Sequence, residues 1–488
     1  MAMFMGFTFA DVWSVVTAFY VVAIIVVIAF IIYEKREPEK ALAWITVIAL
    51  LPVVGVFLYF IFGRNRRKEK IFNRKELHDL EQLDRMCLRQ LTDISNPDLL
   101  HHRSVADNRD IITLLLNSNK APLTMHNRLK VLHNGKETFS DLLDSLRRAE
   151  KFIHMEYYIF ENDRVGRKVA RILMDKARSG VAVRLIYDDV GSWGLSPRFV
   201  YKLRKAGVET GKFMPVVFPW LTSGVNYRNH RKIVVVDGKR AYTGGINIAE
   251  RYLRGTRLGR WRDTHLRIEG DAVGMLQAIF VTDWYFVSGK RLFDMALYFP
   301  PAKVDTVTPM QIASSGPDSD WASIMQAFFA AIGKARRYIY ICSPYFLPNQ
   351  AVLTAMKVAA LSGIDVRVII PSRSDSKVVY WATRSYIPEL LEAGIKVFLY
   401  RKGFIHAKVI IIDGEFSSVG TANMDIRSFE DNFEVSAIIY DRATARILEE
   451  QFREDMADSV EITAEMWDRR SSLHAAYEAL ARLLSPLL

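Results

Sequence analysis

"NHRKIVVVDGKRAYTGGIN", residues 229–247, and "IHAKVIIIDGEFSSVGTAN", residues 405–423, carry one pattern. It runs His, Lys two residues on, an Asp-Gly pair, then Gly and Asn. From His to Asn is 17 residues both times, 230 to 247 and 406 to 423. Even five of these six residues at fixed spacing would recur by chance on the order of once in three million positions. Each copy is a β-branched run, an Asp-Gly turn and a second strand, which predicts a hairpin. His and Lys open the first strand two apart, so their side chains leave the same face. Asp237 and Asp413 fall in the turns and are expected to shape the hairpins. Gly244-Gly245 and Gly420-Thr421 follow, bringing Asn247 and Asn423 back beside the His–Lys end.

Each copy therefore offers an imidazole, an ammonium and a carboxamide at one strand edge. Lys and Asn suit the non-bridging oxygens of a phosphodiester. Lys is not an ordinary metal ligand, and no His, Asp or Cys cluster accompanies it, so neither metal nor cofactor is expected. If the copies pair about a pseudo-twofold axis, one imidazole can attack phosphorus while the other protonates the leaving oxygen. The spacing does not say which does which. An imidazole in that position is easier to orient if a carboxylate holds its other nitrogen. Asp263 in "WRDTHLRIEG" and Glu434 in "DNFEVSAIIYD" stand in matching places for that role, ordinary strand-start acids being the alternative.

Outward from the motifs the chain repeats itself. "EKFIHMEYYIF" is answered by "RRYIYICSPYF", "SGVAVRLIYDD" by "SGIDVRVIIPS", and "LRKAGVETGKF" by "LLEAGIKVFLY". The offset is 183 at Gly180/Gly363, 187 at Gly207/Gly394 and 176 at His230/His406, which implies duplication of a whole domain. The alternation of buried strands with helices such as "DRVGRKVARILMDKARSG" predicts an α/β fold. Two such domains are expected at 105–297 and 298–488, each a mixed sheet flanked by helices.

The N-terminus differs. Residues 12–33 and 41–62 are 22-residue stretches without a charge, each long enough to cross a hydrocarbon core of about 30 Å. A transmembrane helix pair is expected over 1–65 and a charged helical connector over 66–104. "EKREPEK" holds three Lys and Arg and "GRNRRKEK" five, which places the C-terminal bulk on the cytoplasmic side of a membrane. The net charge of +12 favours an anionic partner, a lipid surface or nucleic acid. The only cysteines, Cys87 and Cys342, are too few for a disulfide framework.

The paired HxKxxxxD motifs resemble the phospholipase D superfamily. "ALAWITVIALLPVVGVFLYFIFGRNRR", "MEYYIF", "WRDTHLRIEG" and "GTANMDIRSFEDNFE" are similar to bacterial cardiolipin synthases over nearly the whole chain. The resemblance makes His230, Lys232, Asp237, His406, Lys408 and Asp413 the catalytic motifs. It implies transfer of a phosphatidyl group between two phosphatidylglycerol molecules through a phosphohistidine, giving cardiolipin and glycerol. It makes His230 the nucleophile and His406 the general acid and base. The partners implied are phosphatidylglycerol and cardiolipin in an anionic membrane, without nucleic acid; homo-oligomerisation is left open. A membrane-anchored hydrolase, a nuclease and a non-catalytic lipid-binding scaffold are the alternatives. The family often has Gly-Ser after the hairpin, so Gly245 removes a hydroxyl that Thr421 keeps, and asymmetry between halves is expected.

Two further stretches bear on lipid access. The first copy carries 11 extra residues before its His, "FMPVVFPWLTS" at 213–223. Phe213, Phe218 and Trp220 are candidates for contact with the bilayer or the acyl chains, packing on the other half being the alternative. In the C-terminal "SSLHAAYEALARLLSPLL", Leu473, Tyr477, Leu480, Leu484 and Leu487 share one helical face, expected to dock on the domain rather than lie on the membrane.

Overall fold

A computed structural model describes residues 22, 24–33, 38–59, 87–88, 90–91, 102–216, 227–292, 294–301 and 304–485. Phe218, Trp220, Leu487 and most of the expected connector lie outside the described residues. The first repeat contributes β1 (Thr124–His133), β2 (Phe152–Tyr157), β3 (Ala182–Asp188), β4 (Glu209–Phe213), β5 (Lys232–Val236), β6 (Arg240–Gly244), β7 (Arg260–Arg262) and β8 (Thr264–Gly270). The second contributes β9 (Val307–Ser315), β10 (Tyr338–Cys342), β11 (Phe346–Leu347), β12 (Asp365–Pro371), β13 (Lys396–Tyr400) and β14 (Gly403–Ile405). Then come β15 (Val409–Ile412), β16 (Phe416–Gly420), β17 (Met424–Asp425), β18 (Glu434–Ile439) and β19 (Ser459–Ile462).

The strand order runs β19-β13-β12-β10-β15-β16-β18-β9-β1-β8-β6-β5-β2-β3-β4. Outward from the β1–β9 pair the two repeats read alike: β1, β8, β6, β5, β2, β3, β4 on one side and β9, β18, β16, β15, β10, β12, β13 on the other. Because β1 and β9 are antiparallel, the two halves are related by a pseudo-twofold axis between them. The two expected sheets are thus fused edge to edge into one.

That sheet does not lie flat. β6 and β8 come back against β16 and β18, so the halves also meet face to face. Strand alternation explains the layering. Ile233 and Val235 of β5, with Val409 and Ile411 of β15, enter a cluster shared by both halves. Val234 and Val236 face outward to the first repeat's helices, including Asn134–Arg147 and Arg164–Arg178. Ile410 and Ile412 face the second repeat's helices in the same way. A strand covered on both faces needs an unbroken apolar run, which is why "KIVVV" and "VIII" lack polar alternation after the lysine.

Three expectations change. Residue 213 is no membrane contact: Phe213 ends β4 fully buried, its ring 5.0 Å from Phe433 and 5.1 Å from Phe286. The second N-terminal stretch is not one helix but two, Pro38–Leu50 and Pro52–Leu58. Proline lacks an N–H and drives the residue before it from helical geometry, and Leu51 has φ −131° and ψ 70°. Among the described residues no helix is long and apolar enough to cross a membrane. Helical residues 24–33 pack on this pair through Ile31, Trp44, Ile48 and Tyr59. Finally, the helix Ser472–Leu483 docks by its polar face and leaves its leucines outside.

Candidate active site

The Asp-Gly turns fix the hairpins from below. Asp237 and Asp413 hold φ of 53° and 54°, followed by Gly238 at 66° and Gly414 at 71°, the paired left-handed residues of a type I′ turn. The Asp237 carboxylate accepts the N–H groups of Glu150, Lys151 and Phe152 at 2.9, 2.7 and 2.9 Å. Asp413 accepts those of Arg336, Arg337 and Tyr338 at 2.7, 2.8 and 2.9 Å. Both acids therefore sit a strand's length from the imidazoles and tie the start of β2 or β10 to the motif hairpin. They are not catalytic in the sense of touching substrate, although they belong to the motif.

At the other end the repeats interlock. His230 N–H donates to the Phe433 carbonyl at 2.9 Å, and His406 N–H to the Arg262 carbonyl at 2.7 Å. Each acceptor directly precedes an orienting acid. His230 Nδ1 lies 2.9 and 3.0 Å from the two Glu434 carboxylate oxygens, and His406 Nδ1 lies 2.7 Å from Asp263 Oδ2. Each histidine is thus held by the acid of the opposite repeat. With Nδ1–H donated to a carboxylate, Nε2 keeps its lone pair for chemistry. Lys232 Nζ donates to the His230 carbonyl at 2.6 Å. Lys408 Nζ donates to the His406 carbonyl at 2.5 Å and lies 3.0 Å from His406 Nδ1 and 3.1 Å from its Nε2.

The site is buried and mostly cationic. Burial first, opposed by Glu434, holds the His230 imidazole down at about 4. Burial pushes His406 well below its usual value, helped by Lys408, Lys232 and His230 itself. His230 thus lies close enough for its charge to bear on His406. Burial also brings Lys232 to about 7 and Lys408 to about 8, while Asp263 rises to about 6. Burial raises Glu434 too, but His230, Lys232 and Thr421 outweigh it and keep the carboxylate ionised. An entering phosphodiester anion would relieve the crowded positive charge.

The residue after each hairpin explains the asymmetry. A β-carbon on Gly245 would fall on the Asp263 carboxylate. In the second repeat, Thr421 Oγ1 bonds the Glu434 carboxylate and accepts Val435 N–H at 2.9 Å. The shorter acid takes the place of the missing hydroxyl in one half; the longer acid is steadied by a hydroxyl in the other. The carboxamides differ as well. Asn247 Oδ1 accepts Ile159 N–H at 3.1 Å and its Nδ2 donates to Tyr252 Oη at 2.7 Å, leaving one N–H. Asn423 Oδ1 is buried without a partner.

Several neighbours carry no repeat signal in the sequence. The Tyr158 ring stands 5.1 Å from that of His230; Trp261 and Tyr252 stand 5.2 and 5.8 Å from His406. Arg231 pairs with buried Asp283 and donates to the Glu434 carbonyl at 3.2 Å. Arg262 pairs with buried Asp455 at 2.8 Å and donates to the Asp263 carbonyl. Asp283 and Asp455 lie on the helices Ala272–Ser288 and Arg442–Ala457, one from each repeat. Each long helix thus anchors an arginine beside an orienting acid.

The family profile described as cardiolipin synthase, PLD-like domain, matches residues 142–284 and 328–456. A second profile, phospholipase D-nuclease N-terminal, matches residues 18–64. A cardiolipin synthase of Geobacillus sp. is 44% identical over 468 residues, 95% of this chain and 92% of that protein. The major cardiolipin synthase of Bacillus subtilis is 40% identical over 473 residues, 96% of this chain and 98% of that one. The crystal structure of phosphatidylserine synthase from Haemophilus influenzae superposes with a TM-score of 0.58 at 14% identity, covering 78% of this chain and all of that one. At that identity the match concerns the fold.

Proposed function

Because the chain belongs to the cardiolipin synthase family of phospholipase D-like proteins, we propose that its two histidines work in turn on phosphatidylglycerol. The activity is phosphatidyl transfer. His230 Nε2 attacks phosphorus and forms a P–N bond. The P–O bond to glycerol breaks, and His406, protonated on Nε2 once the bound phosphodiester offsets the charge of the neighbouring lysines, gives that proton to the leaving oxygen. A second phosphatidylglycerol then enters. His406 takes the proton from its glycerol hydroxyl, the oxygen attacks phosphorus, and the P–N bond breaks to release cardiolipin. Lys232, Lys408 and Asn423 receive the phosphoryl oxygens, and the remaining Asn247 N–H adds a weaker contact. The assignment of roles is supported by the lysines: Lys408 stands against both ring nitrogens of His406, while Lys232 is bonded to the His230 carbonyl. The phosphodiester draws that ammonium to itself and lets His406 take its proton.

The observation that carries this reading is the reciprocal seating of His230 on Glu434 and His406 on Asp263. A binding scaffold has no use for two oriented bases. Membrane attachment through the N-terminal segment is supported by Ile25, Val26, Ile32, Leu42, Leu50 and Val53, which stand outward and exposed on its helices. The site then faces the cytoplasmic leaflet.

Protein reconstituted in phosphatidylglycerol vesicles should yield cardiolipin and glycerol in equal amounts. Neither nucleotide nor chelation of divalent ions should matter, because Lys232 and Lys408 already supply the positive charge that meets the phosphate. His230→Ala and His406→Ala should each lower the rate at least about a thousandfold. Phosphatidic acid as the main product would select a hydrolase, and DNA cleavage without lipid turnover a nuclease.

A further inference from the structure

The helix Ser472–Leu483 is mounted inside out. Its inward face joins Ala481, which enters the core, to ion pairs: buried Glu478 pairs with Arg470 at 3.0 Å and Arg384 at 3.5 Å, and Arg482 pairs with Glu389 at 2.6 Å. Its outward face is leucine. Leu473, Leu480 and Leu483 are 60%, 62% and 59% exposed, and Tyr477 and Leu484 complete the stripe. Domain helices normally do the reverse, so this stripe has an occupant to meet.

Location identifies the occupant. Tyr157 pairs with Lys232 and Cys342 with Val409, so β2, β3, β10 and β12 all run toward the end that holds His230 and His406. The helix Lys377–Arg384 starts just past β12 at that end. Its Trp381 meets His474 and Tyr477, with ring centroids at 5.0 and 5.4 Å. In the other repeat the segment leaving β3 at the same end exposes Trp193 to 73%. The segments that lead into these two helices balance exposed Arg373, Lys377 and Arg469 against Asp375, Glu465 and Asp468. An apolar stripe beside the site, with a second exposed tryptophan at the same end, matches the surface of the phospholipid bilayer that supplies the substrate.

We infer that Ser472–Leu483 lies on the anionic bilayer with Leu473, Leu480 and Leu483 in the acyl boundary, seating the catalytic end against the leaflet that supplies its substrate. This rests on the lipid-transferase reading and adds the element that makes the contact. The test uses the full chain with Leu480→Cys carrying an environment-sensitive fluorophore; Cys87 and Cys342 are both buried. In phosphatidylglycerol–phosphatidylcholine vesicles, lipids brominated on the acyl chains should quench the probe. Water-like emission without quenching overturns the inference. So does a shielded probe without quenching, which would place a second copy or the chain's N-terminal segment on the stripe. The variant Leu473→Gln/Leu480→Gln/Leu483→Gln changes only exposed positions. It should make cardiolipin from vesicles on the order of tenfold more slowly, yet turn over monomeric short-chain phosphatidylglycerol at the unsubstituted rate. Undiminished vesicle activity, or equal loss on both substrates, overturns it. Failure of the transferase reading looks different: unsubstituted protein would make no cardiolipin from either substrate while the probe is still quenched.

Discussion

Gly245 is tied to Asp263 and Thr421 to Glu434, so the two matching positions make opposite demands. Gly245→Ser restores the hydroxyl the family often has there, yet its β-carbon takes the space of the carboxylate that orients His406. We expect a loss in kcat on the order of a hundredfold, the usual cost of disturbing a partner of an active histidine. Gly245→Ser combined with Asp263→Glu should recover part of that loss, because it rebuilds the arrangement of the second repeat. Steady-state kinetics on phosphatidylglycerol vesicles decide it; a single variant as active as the parent would remove Asp263 from the account.

Among elements, the motif hairpin does two separable jobs. Its open end presents His and Lys; its closed end ties down a neighbouring strand through three N–H bonds to one carboxylate. The Phe152 N–H that Asp237 accepts is fully buried, whereas Asp413 serves residues reached by water. Asp237→Ala should therefore cost about 2 kcal/mol in urea unfolding and Asp413→Ala about 1 kcal/mol. Because both acids stand away from the reacting atoms, the folded variants should retain kcat within about threefold. A collapse of kcat in a stably folded Asp413→Ala would return the acid to the chemistry.

At the scale of the molecule, neither repeat owns a complete site. Glu434 crosses to His230, Asp263 crosses to His406, and the joined halves seal four cationic or basic groups from water. That burial sets the pH range. Asp263 must be ionised to hold His406, and its raised value of about 6 places an acidic limb there, activity falling as pH drops. Lys232 must be protonated to hold phosphate, and its lowered value of about 7 places a basic limb on kcat/KM, activity falling as pH climbs. Bound phosphodiester favours the ammonium, so the basic limb of kcat should lie above that of kcat/KM. Coincident basic limbs would show that Lys232 does not meet the anion.

The motif spacing, the duplication, the α/β class and the identity of the two histidines, two lysines and two orienting acids were legible in the sequence, because local periodicity and repeated spacing write them there. Pairing was not. Which acid serves which histidine depends on the two halves folding face to face, and no spacing along the chain encodes it. Tyr158, Trp261 and the arginine clamps to Asp283 and Asp455 were hidden for the same reason: they are neighbours only through packing. The C-terminal helix shows the limit most sharply. Its sequence fixes an apolar stripe, but ion pairs from Arg384, Arg470 and Glu389 decide which face turns inward, and those partners meet only in the folded chain.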